Sequence, residues 1–241
     1  MRAIVFDQPG DESVLRLGEV PPPPLGAHDL RLRVRATAVN RADLLQRQGL
    51  YPPPAGASPL LGLECAGEVA EVGSAVQGWR VGERAMALLA GGGYAEEAVV
   101  DAGSALRVPA ALSDAEAGAF PEVFLTAFLN LFMLGGVPDG GSVLVHGGGS
   151  GVGTAAISLC REAGVRIVVT AGSADKCARC MAHGADAAIN YRDGDFAPAV
   201  AAATGGRGVD VVLDAIGGRY LESNLAALAV GGRLVIIGLM G

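Results

Sequence analysis

The chain has 241 residues, 51% hydrophobic and 18% charged, which suits one large or two ordinary domains with a substantial core and excludes a disordered chain. Its net charge is −7 and it carries no Lys/Arg cluster, which argues against nucleic acid as the principal partner but leaves room for a small phosphorylated ligand. Charge interrupts the first residues too early for a signal peptide, and no apolar run reaches spanning length, so a soluble, cytoplasmic protein with no membrane partner is expected.

In chain order, residues 1 to about 110 read as β-rich. The β-prone runs are Arg2 to Phe6, Val14 to Val20, Leu30 to Val39, Glu64 to Val72 and Tyr94 to Val100, with prolines and glycines between them at Pro21–Pro24, Pro52–Pro54 and Gly91–Gly93. Many short strands with turns predict a barrel or sandwich. One helix interrupts them, Arg41 to Arg47, with Asn40 as its N-cap. From Ser113 the texture changes. Ser113-Asp-Ala-Glu116 has capping-box character, Pro121 to Leu134 reads as one long helix, and the domain boundary is placed near 120, giving domains 1–120 and 121–241.

Strand–helix alternation follows. The expected strands are Ser142–His146, Arg166–Thr170, Ala187–Asn190, Val209–Asp214 and Arg233–Gly238. The expected helices are Gly151–Ala163, Ser173–Gly184, Asp195–Thr204 and Arg219–Leu228. This is an α/β, doubly wound parallel pattern, and right-handed crossovers give the strand order 3-2-1-4-5.

The first of these units carries the strongest motif. An apolar β-branched strand runs into Gly147-Gly148-Gly149-Ser150-Gly151-Val152-Gly153 and then into a helix. Glycines there let backbone N–H groups of residues such as Ser150, Gly151, Val152 and Gly153 approach a pyrophosphate, and the helix N-terminus adds its positive end. At the end of the next strand, Thr170-Ala-Gly-Ser173 has no carboxylate to bond a ribose 2′-hydroxyl. Ser173 and Lys176 offer instead a hydroxyl and a positive charge to a 2′-phosphate, which selects NADPH as the cofactor. The competing reading makes Ser173 a helix cap and Lys176 a solvated side chain.

Metal chemistry finds no ligand set. His28, His146 and His183 are far apart and read as structural, and Cys177 and Cys180 form a C-x-x-C that falls on a helix with no partner pair. No nucleophile–base pair stands out, so a hydrolase has no support.

Several stretches together, Asn40-Arg-Ala-Asp-Leu-Leu-Gln-Arg-Gln-Gly49, Gly62-Leu-Glu-Cys-Ala-Gly-Glu-Val69, His146 to Ile157 and Thr170 to Lys176, resemble the medium-chain dehydrogenase/reductase superfamily. Within it the chain is similar to the zinc-independent quinone oxidoreductases of the zeta-crystallin kind, in particular the branch induced by a tumour suppressor in animals. The resemblance implies a GroES-like β domain joined to a Rossmann domain. It implies asparagine and leucine, Asn40 and Leu63, where zinc-dependent relatives have cysteine and histidine.

It also implies that Tyr51 and Asn40 donate to the acceptor oxygen during hydride transfer to a quinone or other conjugated carbonyl, and that Thr126 faces the nicotinamide. Gly172, Tyr191, Ile216, Gly238, Leu239 and Met240 then complete the cofactor contacts. For Tyr51 the alternative is a loop aromatic packed on prolines, for Asn40 a plain cap, for Thr126 a hydroxyl bonded back along its helix, and for Tyr191 a core or surface tyrosine. Rival functions are a zinc-free enoyl thioester reductase and a nucleotide-binding form without turnover. Family chains continue past Gly241 with a sixth strand that builds a homodimer and a return segment to the β domain. A chain ending there is expected to leave its fifth strand at the sheet edge, to lose stability and to self-associate irregularly.

Overall fold

The computed structural model describes residues 1–241. The chain divides into two compact units, Met1–Glu122 and Val123–Gly241.

In the first unit, β1 (Arg2–Val5) and β2 (Arg16–Glu19) form an antiparallel pair. The expected strand Val14–Val20 is shorter than that, because Asp11 caps a 3-10 turn over Glu12–Val14 with its carboxylate on the Ser13 N–H at 3.0 Å. The main sheet contains β3 (Asp29–Ala36), β4 (Glu64–Val72), β5 (Arg84–Leu88), β6 (Glu97–Asp101) and β7 (Ala105–Arg107), in the antiparallel order β6-β3-β4-β5-β7. Here β5 and β7 have no counterpart in the sequence reading. Arg84-Ala-Met-Ala-Leu88 is rich in alanine, a poor strand former, and is held extended by ladders to both β4 and β7.

Alternation sends Leu30 and Leu32 of β3, Cys65 and Val69 of β4, Ala85 and Ala87 of β5, and Ala98 and Val100 of β6 into one core. On the other side, Ala66 and Met86 meet Ala117 of α2 (Asp114–Gly118) and Phe120. Ser113 and Glu116 complete the expected capping box of α2. Before it, α1 (Arg41–Arg47) follows Asn40, as anticipated.

The expected long helix Pro121–Leu134 changes character part-way. It is an α-helix, α3, over Pro121–Phe128 and a π-helix over Leu129–Leu134. The Asn130 side chain takes the Thr126 carbonyl at 2.8 Å, and the Gly135 N–H reaches back five residues to the Asn130 carbonyl at 3.0 Å.

The second unit is a five-stranded parallel sheet. Its strands are β8 (Ser142–His146), β9 (Arg166–Ala171), β10 (Ala187–Asn190), β11 (Val209–Asp214) and β12 (Leu228–Ile236). Their order, β10-β9-β8-β11-β12, is the anticipated 3-2-1-4-5. Helices α4 (Gly151–Glu162), α5 (Ala174–His183), α6 (Ala197–Ala203) and α7 (Leu221–Ala227) link the strands. Gly218–Tyr220 forms a 3-10 turn ahead of α7, so the helix is shorter than the expected Arg219–Leu228.

Residues of alternate parity build two cores. Val143, Val145, Ile167, Val169, Val211 and Leu213 pack on α4 through Ala156, Ile157 and Cys160, whereas Leu144, Val168 and Val212 pack on Phe196, Val200 and Ala227. Both faces of the sheet are therefore covered, as a parallel sheet requires. The last strand begins at Leu228 rather than Arg233. A register shift after Val209 resets its pairing so that Arg233 to Ile236 run in step with Val211 to Asp214.

One buried polar chain crosses this apolar sheet. Asp214, fully buried at the end of β11, accepts from the Ile216 N–H at 2.6 Å and from Asn224 Nδ2 at 2.9 Å. With its Nδ2 so committed, Asn224 presents Oδ1 to His146 Nε2 at 2.7 Å, so that nitrogen carries the proton. His146 Nδ1 then accepts from the Thr170 hydroxyl at 3.0 Å. The imidazole is neutral and satisfied on both sides, and burial holds its pKa below the ordinary histidine value.

Below the ordinary range of about 6.5, a neutral native histidine binds fewer protons than the unfolded chain, so stability declines as pH falls through that value. Thermal melts across this range should show the decline. His146→Ala should cost about 2 kcal/mol or more by stranding Asn224 Oδ1 and the Thr170 hydroxyl, and should flatten the acid slope. A His146→Ala melt with the wild-type slope would assign the pH dependence to other groups.

Candidate functional site

The anticipated dinucleotide turn forms where β8 hands over to α4. Gly147 has φ of +75°, and the Gly148 N–H bonds the Thr170 carbonyl at 2.8 Å, tying the turn to β9. Ser150 caps α4, with Oγ on the Gly153 N–H at 3.1 Å. The N–H groups of Gly151 and Val152 have no intrahelical acceptor and point out of the helix start.

The two glycine-bearing ends of the turn differ physically. A Cβ on Gly153 would lie 2.4 Å from the Gly147 carbonyl oxygen and 2.6 Å from Gly148 Cα, so the helix could not approach the turn. A Cβ on Gly149 would find nothing nearer than Lys176 Cδ at 4.0 Å, so that glycine faces open space. This fits a cradle for a dinucleotide: packing requires Gly153, and an approaching phosphate would use the clearance at Gly149.

The next strand end carries the expected discriminating residues, and the structure brings them together. Ser173 caps α5 by accepting the Lys176 N–H at 3.2 Å, which leaves its hydroxyl hydrogen free to donate. Asp175 pairs instead with Arg179 at 3.1 Å, so Lys176 keeps its charge without a carboxylate partner. Tyr191 follows β10, with its N–H on the Ala171 carbonyl at 3.1 Å, and its phenol covers Gly172, where a Cβ would fall 2.6 Å from Oη. Gly172, Ser173, Lys176 and Tyr191 thus form one cluster beside the glycine turn.

Across the reversal of strand order between β8 and β11, the chain after Asp214 pairs with the chain after β12. The Met240 N–H bonds the Ala215 carbonyl at 3.2 Å and the Gly241 N–H bonds the Ile216 carbonyl at 2.8 Å. That pairing gathers Ile216, Gly238, Leu239 and Met240 at the carboxyl ends of the strands, where open α/β sheets bind ligands. Thr126 lies on α3, half-buried. Its carbonyl accepts from Asn130 Nδ2 at 2.8 Å.

In the first unit, Asn40 and Tyr51 have different surroundings. They flank α1, whose seven residues span about 10 Å. Tyr51 is 45% exposed and lines a cavity of about 430 Å³ with Phe6, Gln46, Pro52, Pro53 and Pro59, which Asn40 does not reach.

Asn40 sits instead above two buried carboxylates that the sequence reading did not identify. Glu64, fully buried on β4, accepts from Asn40 Nδ2 at 2.7 Å through Oε1 and from the Glu122 N–H at 3.0 Å through Oε2. Asp43 accepts the Asn40 N–H at 2.8 Å, the Gly62 N–H at 3.0 Å and the Tyr94 hydroxyl at 3.0 Å. Burial is the main cause that pushes the Glu64 carboxyl above its usual range, with Asn40 and the Glu122 N–H opposing it. Burial and the Asp43 charge push the Tyr94 phenol up. The sequence signals were faint: an acid three residues after the cap, and a lone glutamate beginning an apolar strand.

Comparison with known proteins places these features. Residues 26–110 match the alcohol dehydrogenase GroES-like domain and residues 151–241 match the family described as zinc-binding dehydrogenase. Among solved structures, the Escherichia coli quinone oxidoreductase complexed with NADPH is 31% identical at a TM-score of 0.87, the alignment covering 99% of this chain and 73% of that one. The chain belongs to the medium-chain dehydrogenase/reductase superfamily.

Another solved structure, the CurK enoyl reductase, is 32% identical at a TM-score of 0.91, covering 100% of this chain and 74% of that one. Among curated proteins, the phenolphthiocerol synthesis polyketide synthase type I Pks15/1 of Mycobacterium marinum is 43% identical over 217 residues, which is 89% of this chain. The chain spans 10% of that synthase's length.

A zinc ion, which the family description invokes, does not fit the residues at Asn40. The Asn40 nitrogen donates to Glu64 and, as an amide nitrogen, has no lone pair for a metal, Leu63 offers no ligand atom, and Cys65 is buried in the core of the sheet. No three His, Cys, Asp or Glu side chains converge anywhere to hold a metal.

The glycine turn supplies a paired test. Gly153→Ala should destabilise the second unit by about 1–3 kcal/mol, since backbone must move. Gly149→Ala should leave the melting temperature within error and weaken nicotinamide dinucleotide binding, read by fluorescence titration. Equal behaviour of the two variants would remove the distinction between a packing glycine and a ligand-facing one.

Proposed function

We propose that this protein is a metal-free, NADPH-dependent reductase that passes hydride to a quinone or another conjugated carbonyl. The observation that carries the reading is the donor set of the first unit. Where metal-dependent members need ligands, this chain has a carboxamide, Asn40, held by a buried carboxylate. The bound nicotinamide would supply hydride. The protein's own residues bind and orient it and stabilise the charge that develops on the acceptor oxygen.

Gly151 and Val152 would meet the pyrophosphate with backbone N–H groups, helped by the start of α4. Ser173, Lys176 and Tyr191 would hold the 2′-phosphate, Lys176 with its uncompensated charge. Thr126, Ile216, Gly238, Leu239 and Met240 would line the rest of the cofactor. Asn40 would donate to the acceptor oxygen, with Tyr51 as a second donor from its loop. A quinone needs little more than this, because its reduction product is aromatic and its oxyanion is delocalised. The one proton that completes the hydroquinone comes from solvent.

A second reading, reduction of an enoyl thioester, is favoured by the 43% identity to a polyketide synthase and by the CurK enoyl reductase fold. The same donor would then polarise the thioester carbonyl while hydride adds at the β-carbon. The homodimer expected from the resemblance remains part of the proposal.

Steady-state NADPH oxidation with a panel of quinones and enoyl thioesters separates the readings. Quinone turnover that exceeds enoyl thioester turnover supports the first, and the reverse supports the second. NADPH binding without oxidation by any acceptor would leave a nucleotide-binding protein without turnover. Lys176→Ala should weaken NADPH binding about tenfold to a hundredfold and leave NADH nearly unchanged, since a charge-assisted phosphate contact contributes about 1.5–3 kcal/mol. Equal losses for both would show that Lys176 does not read the phosphate.

A further inference from the structure

We propose that Glu64 is a positioning residue that fixes which way the Asn40 carboxamide faces, and so fixes one Nδ2 hydrogen as the donor available to a bound carbonyl. The inference rests on the reading of Asn40 as the donor to the acceptor oxygen. A carboxamide is nearly symmetric in shape, and its two ends differ only in what they can bond. Free in solution it offers either end. Glu64, itself held in place by its neighbours, removes that choice.

Glu64 Oε1 lies 2.7 Å from Nδ2, a length typical of a charge-assisted bond. Turning the amide over would set its oxygen against a carboxylate oxygen at that distance. Glu64 cannot turn away, because Oε2 is held by the Glu122 N–H at 3.0 Å and the Thr37 hydroxyl holds the Glu64 main-chain carbonyl at 2.6 Å. The Asp43 N–H bonds the Asn40 main-chain carbonyl at 3.1 Å and the Asn40 side chain makes no cap hydrogen bond, so Glu64 sets which way the amide faces.

The main chain is pinned too. Asp43 takes the Asn40 N–H and is anchored by the Gly62 N–H and the Tyr94 hydroxyl. Glu64 uses one of the two Nδ2 hydrogens. The second has no partner in the protein, and Asn40 is only half-buried, so that hydrogen faces outward with its direction already set. A donor aligned before the substrate arrives needs no reorganisation during reaction. The burial of Glu64 is consistent with this use. A fully buried carboxylate without an opposing cation is costly in a fold, and here its acceptors all serve the ordering of neighbours.

Two readouts test this on the full chain. In nitrogen–proton correlation spectra, the Asn40 side-chain pair, identified by its loss in Asn40→Ala, should show one proton shifted downfield by the carboxylate. That shift should vanish in Glu64→Ala. In kinetics, Glu64→Ala should lower kcat about tenfold to a hundredfold, less than the roughly hundredfold to thousandfold loss on removing an oxyanion donor outright, while the NADPH Kd changes less than twofold. Adding Glu64→Ala to Asn40→Ala should cost nothing further.

Glu64→Gln, which keeps a carbonyl oxygen for Asn40, should recover most of kcat and serves if the alanine variant does not fold. An Asn40 amide unmoved by Glu64→Ala, or an equal loss in the Asn40→Ala background, would overturn the positioning role. An amide that moves as expected in a protein whose Asn40→Ala variant keeps full kcat would leave the positioning intact and refute the donor reading instead.

Discussion

The contact between backbone and backbone at Gly153 is the constraint on which the second unit depends. With 2.4 Å between a notional Cβ and the Gly147 oxygen, α4 can leave β8 at its tight angle only because nothing but hydrogen occupies that space. That departure sets α4 on one face of the sheet and fixes the first crossover. The handedness of the crossovers then carries β9 and β10 to one side and β11 and β12 to the other. The reversal between β8 and β11 opens the crevice at the strand ends, and most of the cofactor residues proposed in this unit lie on the loops and helix starts that follow its strands. Packing and binding are thus consequences of one close approach.

Both units organise their strand ends with buried acids that have no cation opposite. Asp214 orders the chain after β11 through the Ile216 N–H and, through Asn224 and His146, reaches Thr170 on β9. Asp43 and Glu64 order the start of α1 and the residues around Asn40. In each case N–H and hydroxyl donors stand in for a counter-charge. The price of burying the carboxylate is offset by several directed bonds, which rigidify loops that would otherwise be free.

The sequence made the architecture of the second unit legible because each signal there is local. Valine-rich strands, a glycine turn and helical spacing repeat in an order that admits few topologies. Strand order, the Ser173 cap and the free Lys176 follow from residues a few positions apart, whereas the Ser150 cap emerges only in the structure. The first unit was less legible. Alanine-rich β5 is a strand only because its neighbours make it one, and a three-residue β7 is too short for any periodicity. The π-helical turn after Phe128 leaves no mark on an apolar sequence that suits either helix. The Asn40 site was half legible: the cap was visible from spacing, but the carboxylate that orients it is 24 residues away on another element. Contacts of that kind are products of the fold and have no period to detect.

Ser173 occupies a position whose two duties are separable. Its oxygen caps α5, and serine shares that aptitude with aspartate. An aspartate there would still cap the helix, while its charge would repel a 2′-phosphate and suit a ribose hydroxyl. Under the proposed cofactor assignment, the chain lies one amino-acid exchange from the opposite coenzyme preference, along a route that keeps the helix cap. Such a position lets a lineage drift between reducing pools according to which dinucleotide its cell keeps reduced, without first acquiring a compensating change elsewhere in the fold.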